Sequence, residues 1–374
     1  MKILFTGGGT GGHFYPIIAI AEKVNQIIDK EKIIGAKLYF VSTSPYDKNA
    51  LFENGIIFEQ VNAGKMRTYF SLLNFFDFFK TGVGIIEALI KVFTIYPDVI
   101  FGKGGYASFP VLFAAKILRI PVVIHESDCA PGRVNLWASK FAKAIAISYD
   151  EAGEYFPKDK TVLTGQPIRS EITHIEKEGA FEYLKLNPSM PVLFVLGGSQ
   201  GAEIINNTVI DALPELLKRY QIIHQVGTNN VENTNERVSV ILTDELKDRY
   251  KSFGFLNSLA IKMSAGASTL VISRAGSTIF EIASWGLPSI LIPFNKSNGD
   301  HARKNAFNYA RAGACDVIEE TNLTPNILIQ EVDKLIANKT RLESMAKNAK
   351  NFGKPDAAEK IAKELVDIAL SHEQ

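Results

Sequence analysis

A glycine-rich turn near the N-terminus is the first segment whose residues could do chemistry. Five of the six residues from Gly7 to Gly12 are glycine, and His13 follows them directly. Bare backbone N–H groups and the positive end of a helix suit an anion such as a phosphate. A neutral imidazole beside them could take a proton from an attacking hydroxyl near pH 7. The turn therefore predicts an anion site with a base; a turn that only packs tightly, or a histidine that only caps a helix, is the alternative.

Further turns of this design follow later along the chain. Gly102 to Ser108 and Gly197 to Ala202 both come directly after an apolar run and are rich in small residues. A fourth turn, Arg274 to Gly276, precedes Glu281, a carboxylate that could accept the hydroxyls of a ribose. An ordinary acid near a helix N-terminus is the alternative for Glu281. Together the turns predict a protein that handles two phosphorylated ligands.

Two common kinds of phosphate site, one for a nicotinamide dinucleotide and one that holds a diphosphate through a divalent metal, fit the sequence less well. Gly7, Gly9 and Gly12 match the dinucleotide fingerprint, but the second predicted strand lacks the acidic residue that holds a ribose. A nicotinamide cofactor is therefore disfavoured, and no cofactor is expected. The chain also has no Asp-x-Asp pair to hold a divalent metal, so we expect helix dipoles, loop amides and a cation to stabilise a leaving diphosphate.

The secondary-structure elements that position these turns are predicted to alternate between strand and helix. Apolar runs without alternation recur along the chain, each followed by a turn and a segment of helical period, as parallel strands buried on both faces require. The predicted strands are Ile3–Thr6, Leu38–Ser42, Ile57–Val61, Val99–Phe101, Val122–His125, Ala144–Ile147, Val192–Leu196, Ile222–Gln225, Val238–Leu242, Leu270–Ser273, Ser289–Pro293 and Asp316–Ile318. The predicted fold class is α/β, with two doubly wound Rossmann-like domains facing a cleft.

The length of 374 residues fits two domains. We predict a first domain over residues 1–165 and a second over 166–354. A final amphipathic helix, within residues 355–374, follows the break at Gly353 to Pro355 and is expected to pack back on the first domain.

The amino-acid composition limits which binding partners and which cellular compartment we expect. Lys and Arg total 41 against 40 for Asp and Glu, so no excess of positive charge points to nucleic acid. Two cysteines and the absence of a signal-peptide pattern predict a reducing cytoplasm.

No run is long and uncharged enough to predict a membrane-spanning helix. The aromatic segment from Lys65 to Lys80 nevertheless predicts contact with an anionic membrane surface, through Phe75, Phe76, Phe79 and Lys80; a core helix is the alternative.

Longer motifs resemble one known family. They occur in order along nearly the whole chain, as GGGTGGHFYP at 7–16, GKGGYASFP at 102–110, HESDCAPGRVN at 125–135, GQPIR at 165–169, GGSQGA at 197–202 and SRAGSTIFEIASWGLPSILIPF at 273–294. With these motifs the chain resembles the MurG family of N-acetylglucosaminyltransferases, in the GT-B superfamily.

The resemblance implies an activity and a location. The family moves GlcNAc from UDP-GlcNAc to the MurNAc 4-hydroxyl of undecaprenyl-diphosphate-linked MurNAc-pentapeptide, with inversion, in peptidoglycan synthesis, on which cell shape and division depend. The implied location is peripheral, at the cytoplasmic face of the plasma membrane. The implied catalytic residues are His13 and Glu126. The implied donor-binding residues are Thr10, Gly11, Gly12, Asp128, Arg169, Ser199, Gln200, Gly201, Glu281, His301 and Ala302. The implied acceptor-binding residues are Gly8, Gly9, Gly104, Gly105, Tyr106, His125 and Asn135.

The chain departs from the family pattern at two places near the sugar site. Asp128 stands where the family usually has Asn, and His301 and Ala302 stand where a Gln pair is common. An acceptor-only carboxylate replaces an amide there, which leaves the donor sugar open. The alternatives are transfer of another UDP-sugar to a lipid acceptor, a UDP-sugar epimerase of the same superfold, and a non-catalytic subunit that presents a partner transferase.

Overall fold

Parallel β-sheets flanked by helices organise the structure, a computed structural model that describes residues 1–65, 73–197, 202–295 and 298–372. These residues divide into two compact units, Met1–Ser170 with Lys354–Gln374, and Glu171–Gly353. Every strand pairing in the described ranges is parallel. The predicted fold class, α/β with two doubly wound domains, is confirmed.

The described part of the first unit forms a seven-stranded sheet in the order β3-β2-β1-β4-β5-β6-β7. Its strands are β1 (Lys2–Thr6), β2 (Lys37–Ser42), β3 (Ile56–Gln60), β4 (Val99–Gly102), β5 (Val122–Glu126), β6 (Ala144–Ile147) and β7 (Thr161–Leu163). The strand order reverses between β1 and β4, and Thr6 is in register with Gly102 at that point. Ligands of doubly wound sheets bind at the carboxyl ends of the strands beside such a reversal.

Helices cover both faces of this sheet. They are α1 (Gly11–Glu31), α2 (Lys48–Glu53), α3 (Leu73–Ile95), α4 (Phe109–Leu118), α5 (Arg133–Ala138) and, from the end of the chain, α15 (Ala357–His372). Ile361 and Leu365 of α15 share one buried cluster with Ile17 and Ile20 of α1. The last helix thus completes the core of the first unit, because it covers apolar side chains of α1.

The described part of the second unit forms a six-stranded sheet in the order β10-β9-β8-β11-β12-β13. Its strands are β8 (Val192–Leu196), β9 (Gln221–Gln225), β10 (Tyr250–Phe253), β11 (Leu270–Ser273), β12 (Ser289–Leu291) and β13 (Cys315–Val317). Its helices are α6 (Ala180–Leu184), α7 (Glu203–Leu216), α8 (Val231–Ile241), α9 (Asp244–Lys247), α10 (Ser258–Ala267), α11 (Thr278–Trp285), α12 (His301–Arg311), α13 (Pro325–Ala337) and α14 (Lys339–Phe352). Here the order reverses between β8 and β11, whose last residues, Leu196 and Ser273, are in register.

One predicted strand is wrong. Val238–Ile241 ends α8 and Leu242 follows it, and the third strand of the second unit is instead β10. Thr234, Val238 and Leu242 are buried at intervals of four residues, whereas Val240 is 85% exposed. That spacing is helical, so a run rich in β-branched residues buries one face of a helix instead of two faces of a strand.

Candidate active site

The first two glycine turns of the first unit lie against each other at the carboxyl ends of β1 and β4. The backbone N–H of Lys103 donates to the carbonyl of Thr6 over 2.9 Å. A Cβ added at Gly7 would lie 2.9 Å from Cβ of Lys103, so only glycine fits this approach without a shift. On the other side, Ser42 Oγ at the end of β2 donates to the carbonyl of Gly7 over 2.6 Å. The N-terminal turn is therefore held between its two neighbouring strands.

His13 lies in the first turn of α1 and is half-buried. Its Nδ1 is 2.9 Å from Oγ1 of Thr10, and a Cβ added at Gly105 would lie 3.5 Å from its Nε2. When Nδ1 carries the proton and donates to Thr10, Nε2 is an unprotonated acceptor. Burial, and next the charge of Lys103, lower the pKa of His13 to about 4, while Asp128 opposes that effect. The imidazole is thus neutral at pH 7, as a base must be.

Lys103 is a residue of this cluster that the sequence does not single out. Its side chain is 2% exposed, and its ammonium donates to Oγ of Ser127. Burial lowers the pKa of Lys103 to about 8, and the carboxylates of Glu126 and Asp128 raise it against that trend. The only signal in the sequence is a cation inside a turn of small residues, which is equally typical of an exposed loop.

Glu126, at the end of β5, holds together the loop that follows it. Within the described residues its carboxylate accepts hydrogen bonds from the backbone N–H groups of Ser127 (2.8 Å), Asp128 (3.1 Å) and Gly132 (3.0 Å), and from Nδ2 of Asn135 (2.9 Å). Burial raises the pKa of Glu126, and the charge of Asp128 raises it further. Because both oxygens are engaged inside the protein, this geometry favours an anchoring role; catalysis by Glu126 stays a prediction.

Replacing Glu126 with glutamine separates these two roles. The amide would turn an NH₂ group toward two of the N–H donors, so we expect the free energy of unfolding to fall by about 1–3 kcal/mol. Urea unfolding followed by circular dichroism measures that loss. Glu154→Gln, at an exposed position of the same unit, is the control. A variant with unchanged stability but a kcat lower by orders of magnitude would instead make Glu126 a catalytic residue.

His125 and Asn135 are buried beneath the same loop. Nε2 of His125 lies 3.0 Å from the carbonyl oxygen of Gly165 and 3.2 Å from Oγ of Ser148, and burial lowers the pKa of His125 well below its usual value. Nδ2 of Asn135 donates to the backbone carbonyl of His125 over 3.0 Å. Nδ1 of His125 and Oδ1 of Asn135 have no hydrogen-bond partner among the described residues. Both side chains join β5 to its neighbours, and their contact with the acceptor stays a prediction.

The remaining predicted acceptor residues lie around His13. Gly104 (φ +84°) faces the side-chain amide of Asn135, where an added Cβ would meet its atoms at 2.9–3.1 Å. A Cβ added at Gly9 would lie 3.2 Å from the ring of Tyr106. Gly8 has φ +142°, and an added Cβ there would lie 2.6 Å from Oγ of Ser42. The structure therefore brings the predicted acceptor residues of both turns to one sheet edge beside the predicted base.

The predicted donor residues fall in both units. Thr10, Gly11 and Gly12 begin α1, and Asp128 is half-buried in the loop after β5. Arg169 belongs to the first unit, where its guanidinium carbon lies 4.0 Å from the ring centroid of Tyr15. This cation is thus held beside the first turns of α1.

Other predicted donor residues belong to the second unit. Glu281 is half-buried in α11, and His301 and Ala302 form the half-buried start of α12. Ser199, Gln200 and Gly201 lie outside the described residues. Arg274 forms an ion pair with Glu320 and donates to the carbonyl of Ile292 over 3.2 Å. In the described ranges no three His, Cys, Asp or Glu side chains converge as metal ligands.

Comparisons with known proteins place the chain in a family. Residues 3–147 match the N-terminal domain of glycosyltransferase family 28, and residues 192–361 match its C-terminal domain. The chain is 37% identical to a Bacillus anthracis protein named UDP-N-acetylglucosamine–N-acetylmuramyl-(pentapeptide) pyrophosphoryl-undecaprenol N-acetylglucosamine transferase 2, over 90% of this chain and 92% of that protein.

A solved structure agrees with that assignment. The crystal structure of Acinetobacter baumannii MurG is 25% identical, with a TM-score of 0.73 over 98% of this chain and 99% of that one. A Neisseria meningitidis UDP-GlcNAc 2-epimerase bound to UDP-GlcNAc has a TM-score of 0.67 over 98% of this chain and 100% of that one, but at 17% identity it shows the fold alone. The chain belongs to glycosyltransferase family 28, among the N-acetylmuramyl-(pentapeptide) pyrophosphoryl-undecaprenol N-acetylglucosamine transferases.

Proposed function

We propose that this chain transfers GlcNAc from UDP-GlcNAc to the 4-hydroxyl of MurNAc in undecaprenyl-diphosphate-linked MurNAc-pentapeptide, with inversion at the anomeric carbon. The observation that carries the proposal is the neutral His13 between two glycine turns, with Nδ1 at Thr10 and Nε2 beside Gly105. Family membership supplies the substrates, because the relatives are named for this donor and this acceptor.

The reaction needs one proton transfer and one displacement. As the MurNAc 4-oxygen attacks the anomeric carbon of GlcNAc, its proton passes to Nε2 of His13. The bond between that carbon and the UDP oxygen breaks, and its electron pair leaves with UDP. Backside attack gives the opposite anomeric configuration. In this scheme Thr10 fixes the tautomer that leaves Nε2 free to accept the proton.

The leaving diphosphate requires stabilisation by groups that are already in place. Arg169 is the cation proposed for this role, and the N-terminal turn of α1 contributes backbone N–H groups and a helix dipole. In the second unit, Glu281 is proposed to accept the ribose hydroxyls, and His301 and Ala302 to lie beside the donor sugar.

A transfer assay tests the proposal against the epimerase alternative, which rests on the shared fold. The protein is incubated with radiolabelled UDP-GlcNAc, alone and with the lipid-linked MurNAc-pentapeptide, in the presence of a chelator. We expect label to enter the lipid phase only with acceptor, with one UDP released for each sugar transferred. Conversion of the donor to UDP-ManNAc without acceptor would instead identify an epimerase.

We also propose that α3 binds the surface of an anionic membrane, which holds the enzyme at its lipid-linked acceptor. One face of the helix buries Ala88 and Val92, while the other exposes a row of apolar side chains at helical spacing. The exposed row comprises Phe75, Phe79, Val83, Ile86, Ile90 and Phe93, each more than half exposed. Lys80 is exposed on the same helix; residues 66–72 and the side chain of Phe76 lie outside the described part. No helix among the described residues has the length and apolarity to cross a bilayer.

Replacing Phe75 and Phe79 with serine is expected to weaken binding to vesicles that contain anionic lipid by roughly ten-fold or more, because two apolar anchors are lost. Vesicle co-sedimentation measures the change. The matched control is Ile34→Ser with Phe52→Ser, which alters two apolar side chains that are 95% and 86% exposed elsewhere on this unit. Equal vesicle binding by both double variants would refute a membrane role for α3.

A further inference from the structure

A chain of hydrogen bonds joins the turn after β4 to the segment after β7. Nζ of Lys103 donates to Oγ of Ser127, and Oγ of Ser127 donates to Oε1 of Gln166 over 2.9 Å. Lys103 and Gln166 are 2% and 3% exposed, and Ser127 between them is half-buried. We name these three side chains the Lys103–Gln166 network. It links three segments of the first unit that are distant in sequence: the β4 turn, the β5 loop and residues 164–170.

Gln166 is the fixed end of this network. Its Oε1 also accepts a hydrogen bond from Oγ of Ser148, directly after β6, over 3.1 Å. The backbone beside it is held too, because Nε2 of His125 lies 3.0 Å from the carbonyl oxygen of Gly165. A buried amide oxygen that accepts from two hydroxyl groups is held in one orientation, so Ser127 meets an acceptor of defined position.

Lys103 is the other end, and it lies where the first two glycine turns meet. Its backbone N–H donates to the carbonyl of Thr6, and its Cβ would lie 2.9 Å from a Cβ added at Gly7. Two residues further on, a Cβ added at Gly105 would lie 3.5 Å from Nε2 of His13. Because Lys103 is held both at its backbone and at its ammonium, the short stretch that leads to Gly105 starts from a fixed residue.

A turn that only reverses the chain does not need a buried ammonium. Taking a lysine side chain out of water costs desolvation free energy, and fixing it costs side-chain entropy. A polar network whose members are hydrogen-bonded specifies one arrangement of the chain. That property matters at a reacting centre, where a displacement of about 1 Å can lower the rate by about 100-fold. The space beside His13 has this requirement, since the acceptor hydroxyl has to reach Nε2.

We propose that Ser127 and Gln166 are positioning residues for the lipid-linked acceptor. By holding the ammonium of Lys103, they fix the turn that places Gly105 beside His13. The inference rests on the proposed function, in which the acceptor hydroxyl passes its proton to that imidazole. Neither side chain has to contact the substrate, because each acts through the turn.

The test breaks the network at two places. Ser127→Ala removes the hydroxyl that joins the two ends, and Gln166→Met removes the acceptor oxygen while keeping a side chain of similar length. Gln166→Glu is the conservative variant, because a carboxylate oxygen still accepts from the serine hydroxyls. The matched control is Ser139→Ala, which removes a hydroxyl from a residue that is 5% exposed and donates outside the network, to the carbonyl of Leu136 over 2.9 Å.

Two measurements compare these variants with the wild type. Hydrogen–deuterium exchange with mass spectrometry follows the backbone amides of residues 102–108, and we expect exchange to speed up by roughly ten-fold in Ser127→Ala and Gln166→Met. With UDP-GlcNAc saturating, kcat/KM for the lipid-linked acceptor should fall by about ten-fold or more in both, while KM for UDP-GlcNAc changes by less than about two-fold. Gln166→Glu and Ser139→Ala should keep wild-type values. The double variant should lose no more than the larger single loss, because both changes break one path.

The outcomes separate this inference from the proposed function. Unchanged exchange at residues 102–108 in both single variants would refute the anchoring of the turn, whatever the activity. Faster exchange with an unchanged kcat/KM would refute the positioning role, as would losses that multiply in the double variant. If the wild-type protein transfers no sugar, the role in transfer falls with the proposed function, although faster exchange would still show that the network anchors the turn. Ser127→Ala decides alone if Gln166→Met does not fold, because position 127 is only half-buried.

Discussion

Replacing His13 with alanine is expected to lower kcat/KM by roughly 10²- to 10⁴-fold, the usual contribution of a positioned general base. The variant keeps both glycine turns and loses the imidazole whose Nε2 lies beside Gly105 and is the proposed proton acceptor. Because His13 is half-buried and its side-chain hydrogen bond is to Thr10 in its own turn, we expect only a small change in the free energy of unfolding. Initial rates with both substrates varied, together with urea unfolding, measure the two effects.

The matched control for this prediction is His174→Ala, at an exposed position. It should leave both the rate and the stability near wild type. Full turnover by His13→Ala would show that another group takes the proton, even if the reaction itself is as proposed. A loss of rate that is matched by an equal loss of folded protein would reduce His13 to a structural residue.

Replacing Gly105 with alanine is expected to lower kcat/KM by about 100-fold or more. The added methyl group would lie 3.5 Å from Nε2 of His13 and 3.2 Å from the carbonyl oxygen of Gly8. In the proposed reaction it would occupy space that the sugar hydroxyl needs to reach Nε2. Gly105 also has φ +78°, a conformation that costs alanine on the order of 1 kcal/mol or more.

Gly35→Ala is the control for placing alanine at a positive φ. Gly35 has φ +73°, and an added Cβ there would meet nothing within 4 Å. Gly105 combines its positive φ with ψ 164°, which alanine rarely adopts, so Gly105→Ala should lose more stability than Gly35→Ala; only Gly105→Ala should lose activity beyond the fraction that unfolds. Steady-state kinetics and thermal unfolding of the two proteins give the comparison. Similar kcat/KM values in both variants would mean that the space beside Nε2 is not used by the acceptor.

The sheet edge that holds the proposed site could be predicted because its sequence signals are local. Continuous apolar runs predict parallel strands, and the glycines after β1 and β4 predict turns in which a side chain has no room. In a parallel sheet these turns emerge at the same edge, so His13, Gly104 and Gly105 could be placed together from sequence. Where periodicity was ambiguous, as in Val238–Leu242, the tertiary packing of α8 decided against the local β propensity.

The roles of Lys103 and Glu126 could not be predicted in the same way. Whether Lys103 is buried depends on Ser127 and Gln166, which are distant in sequence and meet it only in the folded unit. Nothing in the sequence motif indicates that the carboxylate of Glu126 has hydrogen-bond partners. In the structure the loop to Gly132 folds back, and its backbone N–H groups donate to both carboxylate oxygens. Such hydrogen-bond networks depend on the path that each loop takes, and loops have no periodic sequence pattern from which that path could be predicted.

The covalent structure of the product tests the central claim most directly. Wild-type protein is incubated with UDP-GlcNAc and the lipid-linked MurNAc-pentapeptide, and the isolated lipid product is analysed by mass spectrometry and NMR. The account predicts one added N-acetylhexosamine, identified as GlcNAc and joined through a β bond to the 4-oxygen of MurNAc. An α linkage, a different sugar or a different attachment point would contradict it.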